Sequence, residues 1–302
     1  MRTAPRGATV RRMSQIRIHT FETGRLVGNE TFLRGEGWSS LLRRRRDYEF
    51  PGYSFVIEHP GGPIAIDTGM TSRARSPRPH VQRRFVPRPI AGQEIGPAMR
   101  ARGLDPADVR RVILTHLDWD HAGGLAHFPG AEVLMHRPEH DFAATRAGRW
   151  RYEPDLWPAD FTPTVYDLDP EPYGPFPSSK ALTDDGSVRI VPLPGHSIGQ
   201  VGVIVRSGDV RLLFAADHLL RQDWFLEDYQ AGRLLSLGVF FATQARETSR
   251  RIHEFIESVP TVLVPSHDDE APARLNAMSP LELANTVTEA DRSQLMPQEA
   301  TR

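Results

Sequence analysis

The chain has 302 residues, 39% hydrophobic and 25% charged, with 37 basic against 38 acidic side chains and a formal net charge of -1, so no global field would draw it onto nucleic acid or an anionic membrane, and neither is expected as a partner. It contains no cysteine, which excludes disulfides, thiolate metal sites and a cysteine nucleophile, so any metal must sit on imidazole and carboxylate. No run approaches the roughly 18 to 20 apolar residues of a membrane helix, and no apolar core follows the basic first residues, so a cytoplasmic protein is expected.

Residues 1–14 are polar and basic and read as a flexible extension. The alternating runs 15–21 and 53–58 read as half-buried strands. The second breaks at His59-Pro60-Gly61-Gly62-Pro63 and is followed directly by 64–69, a hairpin signature. Between them, Arg43 to Arg46 is the one dense basic run and reads as a solvated turn or helix end. Residues 71–89, rich in Arg, Pro and Ser, read as a long surface loop. Helical spacing returns at 95–102, and Asp105 caps another short helix. The run 109–114 then reads as a buried strand delivering Thr115 and His116 at its C-terminal end. A strand at 131–136 and a helix from Pro138 to Arg146 follow. Residues 148–180 carry Trp150, Trp157, Tyr166 and Tyr173 among many prolines, with little periodicity, and read as an aromatic loop of the kind that walls a pocket. Strand patterns resume at 188–193, 201–205 and 210–216, a helix spans 242–258, and the short strand 261–265 ends at Ser266-His267. Without a repeat or a clear linker, the pattern predicts an α/β protein: one domain over 15–287 with two sheets flanked by helices, then a polar tail at 288–302.

Strand-like runs end in Asp or His at five places: Asp67, the cluster His116-Leu117-Asp118-Trp119-Asp120-His121, His196, Asp217 and His267. Strand ends in α/β architectures meet on a common rim, so these residues are able to share a ligand there. Their nitrogen and oxygen donors suit zinc, iron or manganese. Asp217 closes an apolar strand, where a buried carboxylate is costly unless paired or metal-bound. His127, His136, His140 and His253 read instead as packing or surface histidines.

The pattern resembles the metallo-β-lactamase superfamily, whose Asp-Thr-Gly turn, His-x-His-x-Asp-His cluster, Gly-His turn, strand-end Asp and late His are matched at Asp67-Thr68-Gly69, at His116, Asp120 and His121, at Gly195-His196, at Asp217 and at His267. The resemblance spans roughly residues 15–270 and implies a four-layer αβ/βα sandwich. It also implies two divalent metal ions, zinc by family habit, one on His116, Asp118 and His196 and the other on Asp120, His121 and His267. Asp217 would bridge the pair, and Asp67 would orient a ligand from outside. Asp120, Asp67 and His218 are the candidate catalytic residues. Ile57-Glu58-His59-Pro60, Pro194-Gly195-His196-Ser197 and Ser266-His267-Asp268 look most like the N-acyl homoserine lactonases. That likeness implies attack of a metal-bridging hydroxide on a small ester, above all a lactone, with a homodimeric assembly left open.

Two positions depart from the family pattern. Asp118 stands where the family carries histidine, and an anionic oxygen ligand there favours iron or manganese. It keeps two further readings open: a non-haem diiron oxidoreductase, and a metal-poor binding protein with a disabled first site. Leu220 stands where lactonases place a substrate-binding tyrosine, which would pass that role to His218, Tyr229 or a tyrosine of residues 148–180.

Overall fold

The computed structural model describes residues 16–29, 47–73, 85–227 and 242–281. The expected N-terminal extension, Arg43 to Arg46, Tyr229 and the polar tail lie outside the described residues. Among those described, β1 (Arg17–Asn29), β2 (Asp47–Glu58), β3 (Ile64–Ile66), β4 (Phe85–Pro89), β5 (Arg111–Ile113), β6 (Glu132–His136) and β7 (Thr164–Tyr166) form one sheet in the order β4-β1-β2-β3-β5-β6-β7. A second sheet, ordered β12-β11-β10-β9-β8, contains β8 (Lys180–Ala181), β9 (Val188–Pro192), β10 (Val201–Ser207), β11 (Val210–Ala216) and β12 (Thr261–Pro265).

The period of two in these strands builds the layers. Phe55, Ile57, Ile64, Ile66, Ile113 and Leu134 face Val188, Ile190, Val203, Leu212, Phe214, Val262 and Val264 across the gap between the sheets. The alternate residues Val56, Ala65, Val112, Leu114, Val133 and Met135 pack outward against Ile95 and Met99 of α1 (Ile95–Ala101) and Ala122 of α2 (Trp119–Ala122). On the far side Val191, Ile204, Leu213 and Leu263 pack outward against Ile252, Phe255 and Ile256 of a long helix, Ala242–Ser258. Helices, sheet, sheet and helices thus make the αβ/βα sandwich. Each fully buried aliphatic side chain contributes about 1.5–3 kcal/mol, and a one-residue register slip would turn every one of them to the wrong layer.

Several boundaries differ from the sequence reading. Residues 85–89, expected within a loop, form β4, which pairs with Gly24 to Gly28 of β1. Its two prolines are tolerated because β4 is an edge strand. The helix expected from Pro138 to Arg146 divides into α3 (Arg137–Ala144) and α4 (Arg146–Arg151), because Thr145 is extended and caps α4 by accepting from Gly148 N at 3.0 Å. Residues 148–180 hold the end of α4 as well as β7 and β8. The remaining helices are α5 (Gln222–Glu227), α6 (Ala242–Ser258, the long helix above) and α7 (Ala271–Ala277).

Strand direction gathers the ends. β3, β5 and β6 run parallel, as do β11 and β12, so Asp67 and His116 leave one sheet on the same rim where Asp217 and His267 leave the other. Two backbone bonds join the sheets at that rim: Tyr53 N donates to Ser266 O at 3.0 Å, and Val201 N to Thr115 O at 3.0 Å. The buried Glu139 of α3 adds a side-chain tie. Its Oε1 accepts from Leu117 N (3.1 Å) and the Tyr152 hydroxyl (2.5 Å), and its Oε2 accepts from Ser197 Oγ (2.8 Å) and Gly199 N (3.0 Å). A Cβ on Gly199 would lie 2.1 Å from Glu139 N, so only glycine lets the turn approach the helix.

Glu139→Ala leaves two hydroxyls and two backbone N–H groups without their acceptor. At about 1–3 kcal/mol for a buried unsatisfied group, it should cost at least about 3 kcal/mol in urea unfolding. A midpoint equal to wild type would show that this carboxylate does not hold the loops. His136 closes β6 with Nδ1 2.9 Å from Gly199 O and its ring stacked on Tyr166. Burial lowers its pKa below the ordinary 6.5, against the opposing pull of that carbonyl. The unfolded chain therefore binds the extra proton first, and this contribution to stability, present above pH 6.5, is lost as pH falls through the depressed folded value. His136→Gln should accordingly lose less stability than wild type between about pH 7 and about pH 5, measured by denaturation at both; an equal loss would assign the acid sensitivity elsewhere.

Candidate metal centre

The Asp-Thr-Gly turn after β3 is fastened to α2. Thr68 N and Gly69 N both donate to His121 O (2.7 and 3.2 Å), and Gly124 N donates to Thr68 Oγ1 at 3.1 Å. Gly69 has φ 72°, and a Cβ there would lie 2.3 Å from Thr23 Oγ1, so the close approach requires glycine. Asp67 itself has φ 56° and Ala216 φ 47°, conformations that cost a side chain about 1–3 kcal/mol and persist only where the surroundings impose them. At Ala216 the pairing of β11 with β12 shifts register, which turns Asp217 into the rim.

Among the described residues, two groups bring their ligand atoms within 4.8 Å of one another: Asp120, His121, Asp217 and His267, and His116, His196 and Asp217. Asp217 belongs to both. Its Oδ1 is 2.9 Å from His121 Nε2 and 3.1 Å from His267 Nε2, while its Oδ2 is 3.7 Å from His196 Nε2 and 3.9 Å from His116 Nε2. Asp120 Oδ2 lies 3.6 Å from His267 Nε2 and 3.8 Å from His121 Nε2. The back of each ring is held. His121 Nδ1 meets Asp67 Oδ2 at 2.8 Å, His267 Nδ1 meets Pro51 O at 2.7 Å, and His116 Nδ1 meets Thr115 Oγ1 at 3.0 Å. Asp67 is fixed in turn by the backbone N–H and hydroxyl of Thr115, both at 2.8 Å. These contacts aim Nε2 inward, the arrangement of imidazoles that ligate metals.

His116 Nε2, His121 Nε2 and Asp217 Oδ1 are buried without a hydrogen-bond partner, although other polar atoms lie near them. A divalent ion satisfies such a set, so the residues fit one. The charges at the site act strongly on one another. Burial works against the charged form throughout, yet His121 and His267 hold the Asp217 carboxyl well below its ordinary range. Asp217 and its neighbouring carboxylates in turn hold both imidazoles above theirs. Asp120 moves the other way, raised by burial and by Asp217 against the pull of His121.

Asp118 stands apart from both groups. Arg151, from α4, grips it with both arms, Nε to Oδ1 at 3.0 Å and Nη2 to Oδ2 at 2.7 Å. The same guanidinium donates through Nη1 to His196 O at 2.9 Å and brings Nη2 to 3.0 Å from His196 Nε2. Burial opposes ionisation of Asp118, but Arg151 and the nearby imidazoles of His116 and His196 hold its carboxyl well below the usual range. His218 is buried, with Nε2 2.9 Å from Ser249 Oγ of α6 and Nδ1 without a partner. Burial and the nearby His196 push its pKa down to about 3, so it stays neutral.

Sequence reasoning missed Arg151 and Glu139. Arg151 is one of three arginines in a six-residue helix, and Glu139 looks like an ordinary acidic residue in a first helical turn. Only their neighbours in space set them apart. Of the other histidines, His127 pairs with Glu94 at 2.7 Å and His140 lies 2.9 Å from Asp141. Leu220 is buried with Leu26, Phe50, Met70, Trp119 and Leu156, and Tyr48 and Trp224 pack against this cluster.

Comparison with known proteins fits this geometry. The chain is 28% identical to an N-acyl homoserine lactonase of Rhizobium radiobacter over 276 residues, covering 86% of this chain and 95% of that one. It is 27% identical to an N-acyl homoserine lactonase of Bacillus thuringiensis over 113 residues, 36% of this chain and 45% of that one. Its fold matches an N-acyl homoserine lactone hydrolase solved with N-hexanoyl-L-homoserine bound at the catalytic metal center, with a TM-score of 0.70 at 19% identity over 86% of this chain and 96% of that one. It also matches a dizinc quorum-quenching lactonase, with a TM-score of 0.59 at 14% identity over 85% of this chain and 88% of that one. Residues 47–267 match the family model of the metallo-beta-lactamase superfamily, and the chain belongs to that superfamily.

Proposed function

We propose that this protein is a metal-dependent hydrolase that opens a lactone or a similar small ester, with zinc held by Asp120, His121, Asp217 and His267. The observation that carries the reading is the pair of buried ligand atoms, His121 Nε2 and Asp217 Oδ1, that point into a shared space without hydrogen-bond partners. An ion held there supplies Lewis acidity at the ester carbonyl and an activated water at neutral pH. Asp67 and the Pro51 carbonyl keep the His121 and His267 rings aimed at it. Asp120, through the carboxylate oxygen not used for the ion, takes the proton as water adds to the carbonyl and returns it to the leaving oxygen as the ring C–O bond breaks. A hydroxy acid results. His218 Nε2 is held by Ser249 Oγ at 2.9 Å.

The apolar cluster reaches the ligand groups through Phe50, whose ring centroid lies 5.7 Å from that of His267. The N-acyl homoserine lactonases to which the chain is similar support an N-acyl homoserine lactone as the substrate. Leu220, at the position of the lactonase tyrosine, is a member of the apolar cluster. One ion suffices for the reading. With both oxygens of Asp118 engaged by Arg151, no observation favours the diiron oxidoreductase.

Zinc-loaded protein should release one proton per molecule of N-hexanoyl homoserine lactone opened, followed at constant pH by titration. Chelation should abolish the activity, added zinc restore it, and Asp120→Ala eliminate it. Failure of the zinc-loaded wild type to open any of a panel of lactones and esters overturns the reading. Asp67→Asn should weaken zinc binding about 10–100-fold in competition with a chromophoric chelator, because the His121 ring loses its charged anchor. Unchanged affinity would take Asp67 out of that role.

A further inference from the structure

We infer that Arg151 stands in place of the first metal ion, so that the centre holds one metal and one guanidinium, with Asp118 as the arginine's counter-ion instead of a metal ligand. The inference rests on the proposed metal role of Asp120, His121, Asp217 and His267, but not on any substrate.

In that half two of the three ligands the family pattern implies, Asp118 and His196, already have partners. His196 Nε2 lies 2.8 Å from Asp118 Oδ2 and 3.0 Å from Arg151 Nη2, so in either tautomer its ligating nitrogen is already used, as donor to the one or acceptor from the other. Both Asp118 oxygens are taken by the planar fork of the guanidinium. An ion on His116, Asp118 and His196 would have to displace a charge of its own sign from a pair whose side chains are 9% and 19% exposed. Among those three residues only His116 Nε2 is left without a partner, as His121 Nε2 and Asp217 Oδ1 are in the other half, so the difference between the halves lies in Asp118 and His196.

The position of Arg151 is built into the fold. Thr145 caps α4, and Gly148 lets the helix pack onto α3, where a Cβ would lie 2.0 Å from Phe142 O. The buried Glu139 then binds Leu117, Tyr152 and Ser197, each one residue away from Asp118, Arg151 and His196 respectively. One carboxylate thus sets the three segments that meet in the pair and its histidine. Arginine is the side chain suited to this, since it stays charged and offers two parallel donors to a carboxylate.

Metal stoichiometry tests the inference without reference to catalysis. After chelation and equilibrium dialysis against zinc, the wild type should retain one equivalent per chain. Arg151→Met, which removes the charge and frees Asp118 and His196, should retain two. With manganese, the wild type should give the paramagnetic resonance signal of an isolated ion and Arg151→Met that of a spin-coupled pair. Two equivalents in the wild type, none in the wild type, or one in a folded Arg151→Met variant would each overturn the inference. If Arg151→Met does not fold, the wild-type stoichiometry and manganese spectrum decide alone. One equivalent in a protein that opens no lactone or ester would sink the proposed function and leave this inference standing; two equivalents in an active lactonase would do the reverse.

Discussion

Buried negative charge at the rim where the two sheets meet governs the rest of the site. Asp217 is 6% exposed at the end of an apolar strand, and a carboxylate so placed costs several kcal/mol unless something positive or hydrogen-bonding meets it. Asp67, Asp118 and Asp120 bring three more carboxylates to the same rim. The imidazoles of His116, His121, His196 and His267 surround them, and the neutral rings that ligate metal bring no positive charge of their own. Positive charge must therefore come from protonated imidazole, a guanidinium or a bound ion, and the question at each position is which.

The two halves answer it differently. Around Asp118 and His196 the chain supplies its own positive group, and Arg151 satisfies both carboxylate oxygens as well as the His196 carbonyl. Around Asp120 and Asp217, among the described residues, only imidazoles meet the carboxylates, those of His121 and His267 most closely, and His121 Nε2 and Asp217 Oδ1 are left without hydrogen-bond partners. A guanidinium cannot exchange with solution and polarises a substrate oxygen far less than a divalent ion, so the two are not chemically equivalent even where they neutralise the same carboxylate. Strain is accepted in the same region: Asp67, itself one of the carboxylates, and Ala216, which precedes Asp217, both have positive φ.

What was legible in the sequence followed from local rules. Apolar residues alternating along 53–58, 188–193, 201–205 and 210–216 face two different layers in turn, so they announced strands buried on both sides. Asp and His at strand ends announced a shared rim because parallel neighbours end together. Phe85–Pro89 escaped notice because its strand identity comes from pairing with β1, more than fifty residues away in sequence, and two prolines obscured it. The segment 148–180 looked aperiodic because its strands are only three and two residues long.

By itself the sequence determined the layered fold and the set of residues able to meet at the rim, since both depend on side-chain period and on where strands stop. Only the tertiary structure decided how charge is distributed among them. Asp118 reads as a metal ligand in a cluster of six residues, and becomes half of an ion pair once α4 brings Arg151 across from thirty-three positions away. A carboxylate takes its partner from space, and that partner was fixed by Thr145, Gly148 and Glu139, none of which lies in the motif.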